Sequence, residues 1–251
     1  MIQSANVNLG LIGFGRFGQF AAKHLRQRLN LVVWDLRDLR KTAAAMGVRW
    51  GTLAEAASQE FVLLAVPVCG LQACLENVVP HLSPGALLMD CCSVKVRPVQ
   101  WMLKAAPQDV EILGLHALFG PQSAKGGVAG LRIVMCPART GRADLVRKFL
   151  EDLGLAVMAA TPEEHDKAMA ATQALAQFIG RGLIYTGVQD GPLKTPTYDR
   201  LLRLVEMIRN DTPEHLHDMH RLNPYAATAR RHLLEALFKV NHDLEMIEEE
   251  E

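Results

Sequence analysis

The stretch Leu9-Gly-Leu-Ile-Gly-Phe-Gly-Arg-Phe-Gly18 joins an apolar run to three glycines spaced as G-x-G-x-x-G. Apolar residues then recur three and four positions apart as far as Leu25, which is typical of a helix. A second apolar run ends at Trp34, and Asp35 follows it directly. A strand, a glycine turn, a helix, a strand and an acidic residue follow one another in this order in dinucleotide-binding domains.

Each glycine of the turn has a separate expected role. Gly13 permits the tight turn, Gly15 lets the backbone approach a pyrophosphate, and Gly18 lets the helix pack close to the strand. The helix N-terminus offers free N–H groups and a partial positive charge to the phosphates. The residues between the glycines are expected to lie against the cofactor too: Phe14, Arg16 and Phe17. A glycine-rich turn without a ligand is the alternative interpretation.

Asp35 bears on the choice of cofactor. Its carboxylate is expected to bind the adenosine ribose hydroxyls and to repel a 2′-phosphate, which favours NAD. Arg37 and Arg40 are close in sequence and would weaken this exclusion, so NADP is the alternative. Val66 and Pro67 end another apolar run and are expected to line the nicotinamide ribose, unless they simply terminate the strand.

Composition excludes several classes of function. The chain has 251 residues, of which 49% are hydrophobic, and its formal net charge is zero, so we expect no nucleic-acid partner. No apolar run approaches the ~20 residues of a membrane span, and the N-terminus shows no signal-peptide pattern. Five cysteines without a C-x-x-C pair indicate a reducing compartment. We therefore expect a cytoplasmic protein, or an organelle stromal one if a transit peptide has been removed.

Apolar runs alternate with helical patterns through the first part of the chain. The predicted strands are Asn8–Ile12, Leu31–Trp34, Phe61–Val66, Ala86–Asp90, Glu111–Gly114, Leu131–Cys136 and Leu155–Ala159. The predicted helices are Phe17–Arg28, Leu39–Met46, Leu71–Val79, Val96–Ala105 and Arg142–Leu153. This alternation predicts an α/β fold with a doubly wound, Rossmann-type, mainly parallel sheet.

The sequence pattern changes at Thr161-Pro-Glu-Glu164, which has the form of a helix capping box. We predict a dinucleotide-binding domain over residues 1–160 and an all-helical substrate and dimerisation domain over residues 161–251. The predicted helices here run from Pro162 towards Tyr185, then over Tyr198–Arg209, Pro213–Arg221 and Tyr225–Ile247. The last helix carries an apolar stripe, which indicates a homodimer through the C-terminal helices or the core of an internal bundle.

Three segments together resemble the prephenate/arogenate dehydrogenase family, in particular the dehydrogenase part of the T-protein. They are Gly13–Gly18, then Asp90-Cys-Cys-Ser-Val-Lys95 with Gly114-Leu-His-Ala-Leu-Phe-Gly-Pro121, and Glu164–Phe178. The resemblance implies NAD(P)-dependent oxidative decarboxylation of prephenate or arogenate, on the route to tyrosine. In such a reaction a hydride leaves the carbon that bears the hydroxyl, and a carboxylate leaves as CO₂.

The resemblance also assigns residues of the first domain. His116 matches the catalytic histidine, which accepts the hydroxyl proton, and it follows the predicted strand that ends near Gly114. A core or loop-capping histidine is the alternative. Ser93 matches the serine that contacts this histidine and the nicotinamide end of the cofactor, although it also suits a helix N-cap. Lys95 is a candidate ligand for substrate charge, or else a solvated lysine.

In the second domain the resemblance is less complete. Gln177 stands where the family has a second histidine, and a glutamine cannot become cationic. Gln173 lies one turn earlier, and both are substrate-binding candidates unless they form polar helix surface. Arg200 aligns with the arginine that grips a substrate carboxylate, with Arg203 as an alternative. His215, His217 and His220 lack a zinc spacing, so we predict no metal site.

The sequence supports three interpretations of function. The first is an NAD-dependent prephenate dehydrogenase, with arogenate as the alternative substrate. A related dehydrogenase of another small acid is less consistent with Ser93, Lys95 and His116 occurring together. A non-catalytic NAD-binding relative is the third, and Gln177 is the feature that favours it.

Overall fold

The computed structural model describes residues 7–209, 211 and 213–250. The chain divides into two compact units, of which the first ends at His165 and the second begins at Asp166. The division falls inside the helix Pro162–Met169, whereas the predicted domain boundary precedes that helix.

The first unit contains one sheet. Among the described residues its strands are β1 (Asn8–Ile12), β2 (Asn30–Trp34), β3 (Arg49–Trp50), β4 (Phe61–Leu64), β5 (Leu87–Asp90), β6 (Glu111–Ala117), β7 (Arg132–Arg139) and β8 (Ala156–Ala159). They lie in the order β3-β2-β1-β4-β5-β6-β7-β8. All neighbouring pairs are parallel except β6 and β7, which are antiparallel. The predicted doubly wound, mainly parallel sheet is confirmed.

Helices connect these strands. They are α1 (Arg16–Leu25), α2 (Arg40–Ala45), α3 (Leu53–Ala57), α4 (Leu71–Val78), α5 (Val96–Ala105) and α6 (Ala143–Asp152). All except α3 were predicted, and β3 was the strand that was missed. Both elements are too short to show a hydrophobic period, although the Thr52–Glu55 capping box marks the start of α3.

Burial explains why the central strands show continuous apolar runs. Every residue of β4 and β5 is buried, because strands inside a parallel sheet are covered on both faces. The edge strand β8 is mostly exposed. The core of the unit therefore lies on both sides of the central strands.

The register of the parallel strands aligns the last residues of β1, β4 and β5 with Gly114 of β6. Ile12 pairs with Leu64, Leu64 with Asp90, and Asp90 with Gly114. The segments that follow these four residues therefore lie at one edge of the sheet. The chain order reverses between β1 and β4, and ligands of open α/β sheets bind at the carboxyl edge beside such a reversal.

The second unit is helical throughout its described part. It contains the end of α7 (Pro162–Met169), a π-helical turn (Ala170–Ala174), α8 (Leu175–Tyr185), α9 (Pro196–Arg209), α10 (Pro213–Arg221) and α11 (Ala226–Glu250). The predicted all-helical region is confirmed, but the π-helical turn was not predicted. None of the described helices is long and apolar enough to cross a membrane.

A buried asparagine fixes the entry to α11. Asn223 donates from Nδ2 to the Asp166 carbonyl oxygen at 2.8 Å and accepts at Oδ1 from the Tyr225 N–H at 2.9 Å. The Lys167 ammonium lies 5.4 Å from the centre of the Tyr225 ring. The start of α11 is therefore anchored to the end of α7 by a buried hydrogen bond.

Candidate active site

The glycine turn between β1 and α1 has the geometry that the sequence predicts. Gly13 has a φ of +96°, a region that other residues rarely adopt. A Cβ at Gly18 would lie 2.1 Å from the Gly13 carbonyl oxygen, so the helix packs against the strand only because this residue is glycine. Gly15 is the N-cap of α1, and no side chain caps it. The free N–H groups of α1 are thus available to an anion.

The residues between the glycines differ in their exposure. The Phe14 side chain is fully buried in the core, and its N–H donates to Asp35 Oδ2 at 2.7 Å. Phe14 is therefore wrong as a direct cofactor contact through its side chain or its N–H. Arg16 is exposed and Phe17 is half-buried at the start of α1, so both remain proposed cofactor contacts.

Asp35 follows β2 and is held by its neighbours. The Arg37 backbone N–H donates to Asp35 Oδ1 at 2.9 Å, and the Arg37 guanidinium binds both carboxylate oxygens. Burial by itself raises the pKa of Asp35, but the hydrogen bonds from Arg37 and Phe14 and the Arg37 charge outweigh it, so the pKa is lowered. Asp35 is therefore an anion at neutral pH.

The two arginines near Asp35 behave differently. Arg37 forms the ion pair with Asp35 while 66% of its own side chain stays exposed. Arg40 instead pairs with Asp38. Only Arg37 therefore offsets the carboxylate charge at the predicted ribose position.

Val66 and Pro67 follow β4 at the same edge of the sheet. The Val66 side chain lies against the glycine turn, since Cγ1 would be 3.0 Å from a Cβ placed on Gly13. Pro67 is exposed. Their positions suit residues that line a cofactor, which stays a proposal.

The segment after β5 corrects two expectations. Lys95 is fully buried, with its ammonium bound to the carboxylate of the equally buried Asp90. It is neither a solvated lysine nor accessible to a substrate. Burial lowers the pKa of Lys95, but the negative charge of Asp90 outweighs this effect, and the pKa is raised. Lys95 therefore holds the Asp90–Lys95 segment in place instead of serving a substrate carboxylate.

Ser93 lies inside this clamped segment and is 8% exposed. It is not the N-cap of α5, because that helix begins at Val96 with Lys95 at the cap position. Burial raises the pKa of the neighbouring Cys91 to about 12 and that of Cys92 well above its ordinary value, which favours the protonated thiols. Ser93 stays the proposed catalytic group of this turn.

His116 lies in a strand and not in a loop. It is part of β6, which continues to Ala117 because β7 pairs with it, opposing Val134 to His116. The side chain is 4% exposed. Its Nδ1 atom lies 2.8 Å from Nε2 of His165, which is also buried. His165 was not predicted as a site residue, because the contact joins two residues 49 positions apart.

The second unit buries the glutamine that replaces the family histidine. Gln177 is 3% exposed, so the interpretation as polar helix surface is wrong for it. Its Nε2 donates to Asp211 Oδ2 at 3.0 Å, while its Oε1 is buried without a hydrogen-bond partner among the described residues. Gln173 lies in the π-helical turn and is half-buried. Both remain proposed substrate ligands.

An arginine that the sequence analysis missed lies one turn after Gln177. The Nε atom of Arg181 is buried and has no hydrogen-bond partner in the described part of the chain. Its spacing of four from Gln177 is the signal that would have found it, because residues four apart share a helix face. Arg200, the predicted carboxylate ligand, is exposed on α9, as is Arg203.

The histidines of α10 are not equivalent. His217 is exposed and lies 3.2 Å from Arg221, whereas His220 is half-buried with Nδ1 2.9 Å from an Arg230 nitrogen. Burial and the Arg230 charge lower the pKa of His220 to about 4. No group of three or more histidine, cysteine or acidic side chains suited to a metal ion is found in residues 7–209, 211 and 213–250.

Known proteins share both the sequence pattern and the fold. Residues 21–159 match the model of the prephenate dehydrogenase nucleotide-binding domain. The chain is 30% identical to chloroplastic arogenate dehydrogenase 2 of Arabidopsis thaliana, over 96% of this chain and 71% of that protein. It is 29% identical to chloroplastic arogenate dehydrogenase 1 of the same plant, over 88% of this chain and 37% of that protein.

A solved structure has the same fold. The crystal structure of prephenate dehydrogenase from A. aeolicus, in complex with hydroxyphenyl propionate and NAD+, superposes with a TM-score of 0.79 and 21% identity, over 98% of this chain and 93% of that one. The family-model match covers more than half of this chain. The chain therefore belongs to the prephenate dehydrogenase family of oxidoreductases and carries the nucleotide-binding domain of that family.

Proposed function

We propose that this protein catalyses the NAD-dependent oxidative decarboxylation of prephenate to 4-hydroxyphenylpyruvate. The observation that carries the proposal is the buried His116 at the carboxyl edge of the sheet, with its Nδ1 atom engaged by His165. Because Nδ1 is engaged, Nε2 is the ring nitrogen of His116 to which the proposal assigns the proton transfer. An imidazole is suited to accept a hydroxyl proton near neutral pH.

The proposed chemistry follows from one proton transfer and two bond cleavages. His116 accepts the proton of the ring hydroxyl as the carbon that bears it loses a hydride. NAD supplies the hydride acceptor when bound. The bond to the ring carboxylate then breaks, CO₂ leaves, and the electron pair of that bond completes the aromatic ring. His116 returns its proton to the phenolate oxygen that results. The products are the phenol, CO₂ and NADH.

NAD is proposed over NADP because Asp35 is anionic at the predicted ribose position. Arg37 reduces this preference, since its guanidinium pairs with the same carboxylate. Asp35→Ala should weaken NAD binding more than NADP binding, as measured by titration of each cofactor. Equal losses for the two cofactors would overturn the assignment.

Arogenate is the second candidate substrate. It carries an amino group where prephenate has a keto group. Two similar plant proteins are named arogenate dehydrogenases. The Gln177 amide also lies against the Asp211 carboxylate, and a carboxylate favours a cationic partner over a second anion.

The test is NADH formation by the purified protein with prephenate and with arogenate, each repeated with NADP⁺. Turnover with one of them assigns the substrate and shows that Gln177 suffices in place of a histidine. His116→Ala should reduce kcat by ~10²–10⁴-fold, the range of general-base catalysis. An unchanged kcat would exclude the proton-acceptor role. Tight NAD binding without turnover on either substrate would favour the non-catalytic relative.

A homodimer through the C-terminal helices is also proposed. The first residues of α11 are covered, with Ala226 fully buried, but its later apolar side chains are exposed. They are Leu234, Leu237, Phe238, Val240, Leu244, Met246 and Ile247. An apolar stripe of this length favours association with a second helix. Phe238→Glu should convert a dimer to a monomer in sedimentation equilibrium.

The proposed compartment is the cytoplasm or an organelle stroma. Two similar proteins are named as chloroplastic, which supports the stroma. Localisation of a tagged full-length protein in its own cell would distinguish the two.

A further inference from the structure

Two buried histidines share a hydrogen bond in the first unit. The distance between His116 Nδ1 and His165 Nε2 is 2.8 Å, and the rings meet edge to face at an interplanar angle of 73°. The two side chains are 4% and 2% exposed. This contact joins residues 49 positions apart and excludes most solvent from both rings.

The position of His165 is fixed by the start of α7. Thr161 and Glu164 form a capping box: the Glu164 N–H donates to Thr161 Oγ1, and the Thr161 N–H donates to a Glu164 carboxylate oxygen. His165 completes the first turn, with its N–H donating to the Thr161 carbonyl at 3.0 Å. The ring is therefore presented to His116 by a defined helix end.

A hydrogen bond between two neutral imidazoles can run in either direction, depending on which ring donates the proton. In one, His116 carries its proton on Nδ1 and donates it to His165, so Nε2 of His116 keeps its lone pair. In the other, His165 donates, and Nε2 of His116 carries a proton instead. Only the first alternative lets His116 accept a proton from a substrate hydroxyl.

We propose that His165 is a positioning residue, which accepts the Nδ1 proton of His116 and so keeps Nε2 of His116 as the proton acceptor. In many enzymes a carboxylate accepts the Nδ1 proton of the catalytic histidine in this way. Here the acceptor is a second imidazole, itself protonated on Nδ1. The catalytic consequence rests on the proposed function, while the hydrogen-bond direction does not.

Proton uptake on Nε2 leaves the bond between the two rings intact. When His116 takes up a substrate proton on Nε2, its Nδ1 proton stays in the bond to His165. The same nitrogen, Nε2, then releases the proton.

The test uses ¹⁵N NMR of protein labelled at its histidine rings, in wild type and in His165→Leu and His165→Gln. The His116 signals are assigned from the spectrum of His116→Gln. We expect the Nδ1–H form of His116 in the wild type and in His165→Gln, whose side-chain oxygen accepts the same proton. In His165→Leu the Nε2–H form should appear.

Kinetics give the second readout. Loss of an outer hydrogen-bond partner of a functional histidine costs roughly 10–100-fold, and we expect that reduction in kcat for His165→Leu, with KM for NAD unchanged. His165→Gln should recover most of kcat. His81→Leu, at an exposed histidine, is the matched control and should change neither readout.

The outcomes separate the two proposals. An Nε2–H form of His116 in the wild type, or a tautomer that His165→Leu leaves unchanged, would overturn the role of His165. The expected tautomers without turnover in the wild type would support the hydrogen-bond direction and reject the proposed function. If His165→Leu does not fold, His165→Gln and the wild-type spectrum still decide the direction.

Discussion

The two units treat their buried polar groups differently. In the first unit, the buried Lys95 pairs with the equally buried Asp90. In the second, Gln177 Oε1 and Arg181 Nε are buried without hydrogen-bond partners in the described residues. Each unit also holds the opposite case: Asp90 Oδ1 in the first has no hydrogen-bond partner among the described residues, and the buried Asn223 in the second is hydrogen-bonded.

Paired and unpaired buried polar groups are expected to have different roles, the first in stability and the second in ligand binding. A buried charge with a partner supports the fold, and removal of that partner is costly. A buried polar group without a partner does not support the fold, and it gains most when a ligand supplies the missing hydrogen bond. Loss of Lys95 should therefore reduce stability, whereas loss of Arg181 should reduce ligand affinity.

The largest effect is expected for Lys95→Met. It leaves the Asp90 carboxylate buried without its counter-charge, which costs about 3–5 kcal/mol of unfolding free energy. The measurement is urea denaturation of the variant beside Lys148→Met, at an exposed lysine where the change should stay within about 0.5 kcal/mol. Adding Asp90→Asn to Lys95→Met should recover much of the loss. If the single variant Lys95→Met is as stable as the wild type, the buried Lys95–Asp90 pair does not support the fold.

Arg181→Leu tests whether a buried polar group without a partner in the second unit serves ligand binding. If Arg181 binds a substrate carboxylate, its loss removes a charged hydrogen bond of about 1.5–3 kcal/mol, or roughly 10–100-fold in KM, without loss of stability. Arg200→Leu, at an exposed arginine of the same unit, is the matched variant. A larger effect on KM from Arg200→Leu would restore the assignment made from the sequence. A loss of stability in Arg181→Leu with KM unchanged would show that Arg181 supports the fold and does not bind the substrate.

The half-buried His220 gives a pH-dependent effect in the second unit. Its pKa is about 4 in the folded protein against an ordinary 6.5, because of burial and the Arg230 charge. Between these values the unfolded chain binds a proton that the folded chain does not, so stability decreases as the pH falls from 6.5 to 4. His220→Gln should reduce this decrease in urea denaturation at about pH 7 and about pH 5. His217→Gln, on the same helix, should leave it unchanged.

The smallest effect is expected at the Arg37–Asp35 pair, in which the arginine is exposed. Exposed ion pairs contribute ~0.2–1 kcal/mol, so Arg37→Ala should raise the preference for NAD over NADP by less than about fivefold. The reason is that the Asp35 carboxylate would then repel a 2′-phosphate without compensation. Titration with both cofactors measures the ratio. A fall in the ratio would show that Arg37 itself supports NAD.

Sequence patterns predicted most elements because their causes are local. The helix Val96–Ala105 was predicted at its observed bounds, and the capping box at Thr161 marks a helix that does begin at Pro162. The two-residue β3 and the five-residue α3 were missed because they are too short for a period. β6 was predicted too short, because its last residues are strand only through their pairing with β7.

The sequence by itself determined the glycine turn, the helix that follows it and the position of Asp35, since these depend on contacts within some twenty residues. The tertiary structure alone decided that Lys95 is buried, that Gln177 contacts Asp211 and that His116 meets His165. Side-chain type gives a residue its chemistry. Its protonation, burial and partner depend on which distant segments pack around it, and no local pattern encodes that packing.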